Sequence, residues 1–500
     1  MSMTDTYAPT SGVESALARA RLGAVALVSN VMAAAAPLTV VAGGATAGFA
    51  ITAALGIPLA YLVVAVILAI FSVGYVAMSR QVVNAGAFYT YIAHGLGKIC
   101  GVSSAFVAVA AYNTMQVGLY GGFGVVTDTF ASRFDVNAPW WAWSGLAWLA
   151  IAVFGGRRVD HLARLLTVLL IAEVVIALIL AAVQVSHPAG GVIGLDTLDP
   201  GNLIGPGLGA ALATAIAGFV GFEGTAVYSE ETKDARRTVP RATYAAVAGI
   251  GLLYAFCAFA LATATGPANI VQRSTLEGAE LTFNLAAAYL PTAVITLGNF
   301  LFVSSLFAAL LAFHNNAARY HFALGREGVL PAVLGRTSAK TKAPIAGSIL
   351  QSVIGFAGIA LFVINAWKPF EQMFFWLTVL GGFGVLILMT VTSLAVAAYF
   401  TRRRNRDRVG TRVGAVRGIL APAIAFLLLG AVAMVTVRQF ATLLGVSPDD
   451  PVRWLLPTGY AAAAAVGLLW ALCLRATRPA VWARIGLGAH QNKADMIGAA

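Results

Sequence analysis

The chain has 500 residues, of which 59% are hydrophobic and only 10% charged, and its mean hydropathy is +0.84. Soluble proteins carry roughly a quarter of charged residues, so a set of soluble domains is excluded and most of the outer surface must face lipid. The net charge of +12 belongs to loops rather than to a basic domain, which argues against nucleic acid, and three cysteines fit neither a disulfide framework nor a metal site.

A membrane helix needs about 20 apolar residues. Runs of that kind predict twelve spans, at about 22–50, 57–78, 100–127, 139–155, 162–186, 207–228, 240–264, 284–313, 344–364, 370–400, 416–437 and 454–475. The segment Asn84 to Tyr91 is expected to begin a tilted or reentrant part of span 3. Ala34-Ala35-Ala36 resembles a signal-peptide cleavage site, but Arg19 and Arg21 come late, Pro37 follows at once and the apolar run continues, so no cleavage is expected.

With twelve spans, all but five of the 32 Lys/Arg fall on one side, leaving Arg133, Arg273, Lys368, Arg438 and Arg453 on the other. The basic side is the cytoplasmic one by the positive-inside rule, which puts both termini in the cytoplasm of a multi-pass cell-membrane protein. The run from Arg402 to Arg408 reads as a stop at that face.

Two spans carry helix breakers at similar depth. In span 1, Pro37 follows four alanines, Ala33, Ala34, Ala35 and Ala36; proline cannot donate to the carbonyl four back, so Ala33's carbonyl is expected to be free. In span 6, Gly218, Gly221 and Gly224 flank Phe219, Val220 and Glu223, and glycine weakens a helix by about 1 kcal/mol per position relative to alanine. Irregular backbone at membrane depth is tolerated where it lines a cavity or is buried in protein. The breaks lie five spans apart, the spacing of two inverted five-helix repeats. The expected layout is a tail (1–20), two five-helix repeats (21–187 and 188–401), a basic loop (402–415), two additional helices (416–476) and a second tail (477–500).

Only Glu173 and Glu223, of 20 acidic residues, lie within spans. A carboxylate at that depth costs several kcal/mol unless paired or protonated. No basic residue lies inside any span to pair with Glu173, so both acids are candidates for proton or cation handling; a neutral acid bonded to a neighbouring carbonyl is the structural alternative. Of the polar group Tyr112, Asn113, Gln116 and Tyr120 in span 3, positions 112 or 113, 116 and 120 fall on one helical face, where they either line a cavity or hydrogen-bond helices together. Ser304 and Ser305 in span 8 are weaker candidates as hydroxyl ligands. No phosphate loop, metal-ligand spacing or nucleophile–base pair appears, so neither an enzyme nor a cofactor is expected.

Several motifs resemble a known family. Gly74 to Arg80 and Asn84 to Tyr91 are similar to the span 2–3 region of amino acid permeases in the amino acid–polyamine–organocation superfamily. Gly218 to Glu223, with Ser229 to Lys233 and Val239 to Ala242, resembles that superfamily's span 6 and following loop. Arg319-Tyr320 and Gly325 to Pro331 resemble its loop after span 8. The resemblance covers about residues 20–400. It implies an all-α, LeuT-like fold of five plus five helices with two added, spans 1 and 6 being broken, around a small-molecule substrate held between spans 1, 3, 6, 8 and 10.

The resemblance also implies roles. Ala33 to Pro37 stands where such permeases usually have Gly-Ser-Gly, whose backbone N–H groups bind the substrate carboxylate. The Ala217 and Val220 carbonyls, flanking Gly218, would receive the amine, and Phe219 would be a gate. Glu173 falls where relatives place a sodium-site neighbour or a charged residue replacing it, which favours proton over sodium coupling. The expected function is proton-coupled uptake of an amino acid or related amine, with an uncoupled exchanger or a sodium-coupled transporter of the same fold as the alternatives.

Overall fold

The computed structural model describes residues 13–14, 17–18, 20–402 and 413–488. Most of the two expected tails, and Arg403 to Arg408 of the basic loop, lie outside the described residues. The numbering of the predicted spans is kept below.

The protein is an all-α membrane protein. Among the described residues ten helices are long and apolar enough to cross a membrane. They are Ala24–Thr52 (span 1), Ile57–Ser79 (span 2), Ala163–Ser186 (span 5), Leu208–Val227 (span 6), Ala235–Thr265 (span 7), Thr292–Glu327 (span 8), Ile345–Ile364 (span 9), Pro369–Thr401 (span 10), Val416–Arg438 (span 11) and Val452–Thr477 (span 12). At the two remaining expected positions stand Lys98–Ala131 (span 3), a 34-residue helix diluted by polar side chains and glycine, and Trp140–Phe154 (span 4), a 15-residue apolar helix. The two-residue strands Val13–Glu14 and Thr337–Ser338 pair antiparallel.

Proline sets many helix starts. It is the residue before spans 4, 8, 9 and 12 and sits in the first turn of spans 2 and 10. First-turn amides have no intrahelical acceptor, so a missing N–H costs nothing there, and the fixed φ suits the helix.

Span 3 runs through the centre and touches spans 4, 8, 9, 10 and 12; span 1 packs on spans 5, 7 and 8, and span 2 on spans 6, 7 and 11. In span 6, 94% of the apolar window is buried, against 22% in span 12. Span 6 is therefore an interior element enclosed by other helices, and span 12 a peripheral one with a broad lipid-facing surface.

Two expectations are corrected. The segment after Asn84 does not belong to span 3: Ala87–Leu96 is a separate helix, cut off by Gly97 at φ 103°, a conformation that favours glycine. Span 8 does not stop near Phe313 but runs on to Glu327, with Leu281–Ala287 a separate short helix before it. Its hydropathy falls at His314, Asn315, Asn316 and Arg319, yet all four are buried by neighbouring protein, so the helix continues where the apolar run ends.

Candidate functional site

The span 1 helix ends at Ala35, and Ala36 takes the left-handed conformation (φ 47°, ψ 71°) before the chain turns helical again at Pro37. The residue before proline is pushed out of the α region by the ring, which is why the break falls one residue ahead of Pro37. Ala33's carbonyl is not free, contrary to expectation: the Ala36 N–H is shared between it and the Met32 carbonyl, at 3.1 Å to each. The groups released lie on the other side of the break. The Thr39 N–H donates to Ser305 Oγ at 3.3 Å, and the Leu38 amide lies beside the Glu173 carboxyl. Tyr254, from span 7, donates its hydroxyl to the Ala35 carbonyl at 2.7 Å.

In span 6 the helix stops at Phe219 and resumes at Gly224. Gly221 has φ 120°, and a Cβ there would lie 2.5 Å from Ala34 Cβ, so the two breaks are packed backbone to backbone. Glu223 holds this turn together. Its Oε2 accepts from the Gly221 N–H and its Oε1 from the Tyr112 hydroxyl, both at 2.8 Å, while its carbonyl accepts from Tyr75 at 2.7 Å. The Ala217 carbonyl takes the Val220 N–H at 3.3 Å, whereas no backbone N–H among the described residues reaches the Val220 carbonyl.

Between the breaks lies a cavity of about 70 Å³. Ala34, Ala35, Ala36 and Thr39 line it from span 1, and Thr214, Ala217, Gly218 and Val220 from span 6. Spans 3, 8 and 10 close it with Met115, Leu119, Phe313, Phe374 and Thr378. Thr39 Oγ1 is buried without a hydrogen-bond partner. Glu173 is 1% exposed and stands directly behind this wall, beside Ser305 and Leu38, with Oε2 lacking a partner.

The remaining expected site residues lie elsewhere. Ala33 and Pro37 flank the break without lining the cavity. Phe219 is turned towards span 7, its ring 6.0 Å from that of Tyr254. Asn113 and Gln116 occupy the far face of span 3. Gln351 donates to Asn113 Oδ1 at 2.7 Å and to Gln116 Oε1, and Gln116 lies 3.4 Å from His314 Nδ1. Asn113 also borders a larger apolar space between spans 3, 9, 10 and 12, which no interrupted helix enters. Thr39 and Tyr254 carry no distinguishing signal in the sequence. Tyr112 and Ser305 are visible there as polar residues in spans, but not their partners.

Outside the cavity lining, two ion pairs join the end of span 8 to the loop after span 6. Arg319 is bidentate to Glu231 at 2.5 and 3.1 Å, with both side chains almost wholly buried, and Arg326 pairs with Glu230 at 2.7 Å.

Two interrupted helices meeting at a cavity inside a multi-pass bundle define a membrane carrier architecture. A family model described as "Amino acid permease" matches residues 21–478, and the chain belongs to that family, within the superfamily anticipated from its motifs. It is 23% identical over 360 residues to the low-affinity putrescine importer PlaP of Escherichia coli (strain K12), covering 70% of this chain and 75% of that protein. It is 26% identical over 370 residues to the branched-chain amino acid permease BcaP of Lactococcus lactis subsp. cremoris (strain MG1363), with the same coverage.

Proposed function

We propose that the protein is a secondary active transporter that imports an amino acid or related amine across the cell membrane with protons, by alternating access, both termini being cytoplasmic. The observation that carries this reading is the cavity lined by both helix breaks, with the buried Glu173 behind its span 1 wall and one carboxyl oxygen unpartnered. A substrate ammonium would sit against carbonyls at the end of the first half of span 6, where Val220 offers a free oxygen and the helix terminus is partially negative. A carboxylate would sit at the start of the second half of span 1, beside the Thr39 hydroxyl.

That second position explains coupling. Glu173 already lies beside the Leu38 amide, one residue from Thr39. An ionised Glu173 therefore places negative charge where the substrate's carboxylate would go, and a proton on Glu173 removes the repulsion. Proton and substrate favour each other's binding, and each biases the same equilibrium between the inward-open and outward-open packings. The sodium-coupled alternative draws on the same oxygens, Glu173 Oε2 and Ser305 Oγ. Accumulation of radiolabelled amino acid in sodium-free proteoliposomes, driven by a pH gradient acid outside, tests the reading. Uptake that needs sodium and ignores pH would reverse it.

A further inference from the structure

Every side chain on the cavity wall is uncharged. Its hydroxyls belong to Thr39, Thr214 and Thr378, and the last two are turned back onto their own helices, to the Ala210 carbonyl at 2.8 Å and the Phe374 carbonyl at 2.7 Å. Thr39 alone offers an unpartnered hydroxyl, in a residue 5% exposed. The two buried acids nearby do not face the space. Glu223 has both oxygens occupied by Gly221 and Tyr112, and Glu173 stands behind Leu38 and Thr39.

These wall groups suit one ammonium and one carboxylate held close together, the pattern of an α-amino acid. A diamine carries a second ammonium at the far end of an aliphatic chain and no carboxylate. That charge would be buried among Met115, Leu119 and Phe374 without a counter-ion, which is strongly unfavourable in a low-dielectric interior. Size narrows the choice further. At about 70 Å³ the space is half the roughly 150 Å³ that just accepts benzene, so the smallest amino acids need the least rearrangement, and an aromatic side chain would have to displace Phe374 and Phe375.

Granting the transport reading above, we infer that this cavity selects zwitterionic amino acids with a small uncharged side chain and rejects diamines, with Thr39 as a specificity-determining hydroxyl. The selectivity thus departs from the substrate in PlaP's name.

The test is a competition and counterflow panel on the full-length protein in proteoliposomes, using alanine, phenylalanine, lysine and putrescine. Alanine should saturate counterflow, phenylalanine should compete at least tenfold more weakly, and putrescine should fail to compete at a hundredfold excess. Thr39→Val, which keeps the shape and removes the hydroxyl, should weaken alanine binding about tenfold. Thr378→Asp and the more buried Thr214→Asp install a carboxylate on the wall; in whichever is recovered folded, putrescine should gain at least tenfold against alanine. Putrescine competing with alanine at equal concentration in the wild type would overturn the selectivity while leaving transport standing. Absence of uptake for every compound would overturn both.

Discussion

At the span 1 break the turn is made by an alanine in front of a proline, and the amides it releases meet side chains, Thr39 donating to Ser305 and Leu38 lying beside Glu173. At the span 6 break the turn is made by a glycine, and the acid four residues into the irregular stretch reaches back to it, Glu223 to Gly221. Each break thus owns one buried carboxyl, but the two are used differently. Both oxygens of Glu223 are filled by donors that hold the turn, with Tyr112 anchoring it to span 3. Glu173 keeps Oε2 unpartnered beside groups that border the cavity. A saturated carboxyl braces a shape; one with an open oxygen can respond to a proton. The comparison fits a structural role for Glu223 and supports the proposed coupling role of Glu173.

The largest effect should come from breaking the contact between the two turns. Gly221→Val forces a branched side chain into φ 120° and drives it into Ala34; neither adjustment is open to packed backbone. No monodisperse protein should be recovered by size-exclusion chromatography.

Next comes the brace. Glu223→Ala leaves the Tyr112 hydroxyl and the Gly221 N–H buried without an acceptor, at about 1–3 kcal/mol each. The variant should melt several degrees lower and bind substrate weakly, by thermal shift and equilibrium binding. Unchanged melting would remove the structural role given to Glu223.

The smallest effect sharpens the comparison from the other side. The left-handed conformation costs an L-residue about 1–2 kcal/mol, part of which glycine would recover before its own entropic cost of roughly 0.5–1 kcal/mol. Ala36→Gly should therefore be stabilising by up to about 1 kcal/mol in denaturant unfolding, with transport intact.

The breaks were legible in the sequence because Pro37 and three glycines are local signals, and the two intramembrane acids stood out against an apolar background. Their partners were not legible. The Tyr254 hydroxyl reaches the Ala35 carbonyl across 219 residues, and nothing near either residue announces it. Ala33 was expected to have a free carbonyl because the missing proline amide was considered without the Ala36 N–H, which is shared between the Met32 and Ala33 carbonyls. Asn113 and Gln116 do share a helical face, but periodicity does not say which neighbour that face meets. It meets Gln351 and His314 rather than the cavity. Span 8 outran its apolar stretch for a related reason, since hydropathy reads side chains as though lipid surrounded them, and here protein does.

The most direct test of the account is Glu173→Gln in sodium-free proteoliposomes, with counterflow exchange and pH-driven accumulation measured on the same preparation. Glutamine keeps the carboxyl's shape and an acceptor for the Leu38 amide but is permanently uncharged. Counterflow should persist at near wild-type rates, while accumulation above equilibrium under an acid-outside gradient should vanish. Full pH-driven accumulation in this variant would contradict the central claim and move the proton site away from Glu173.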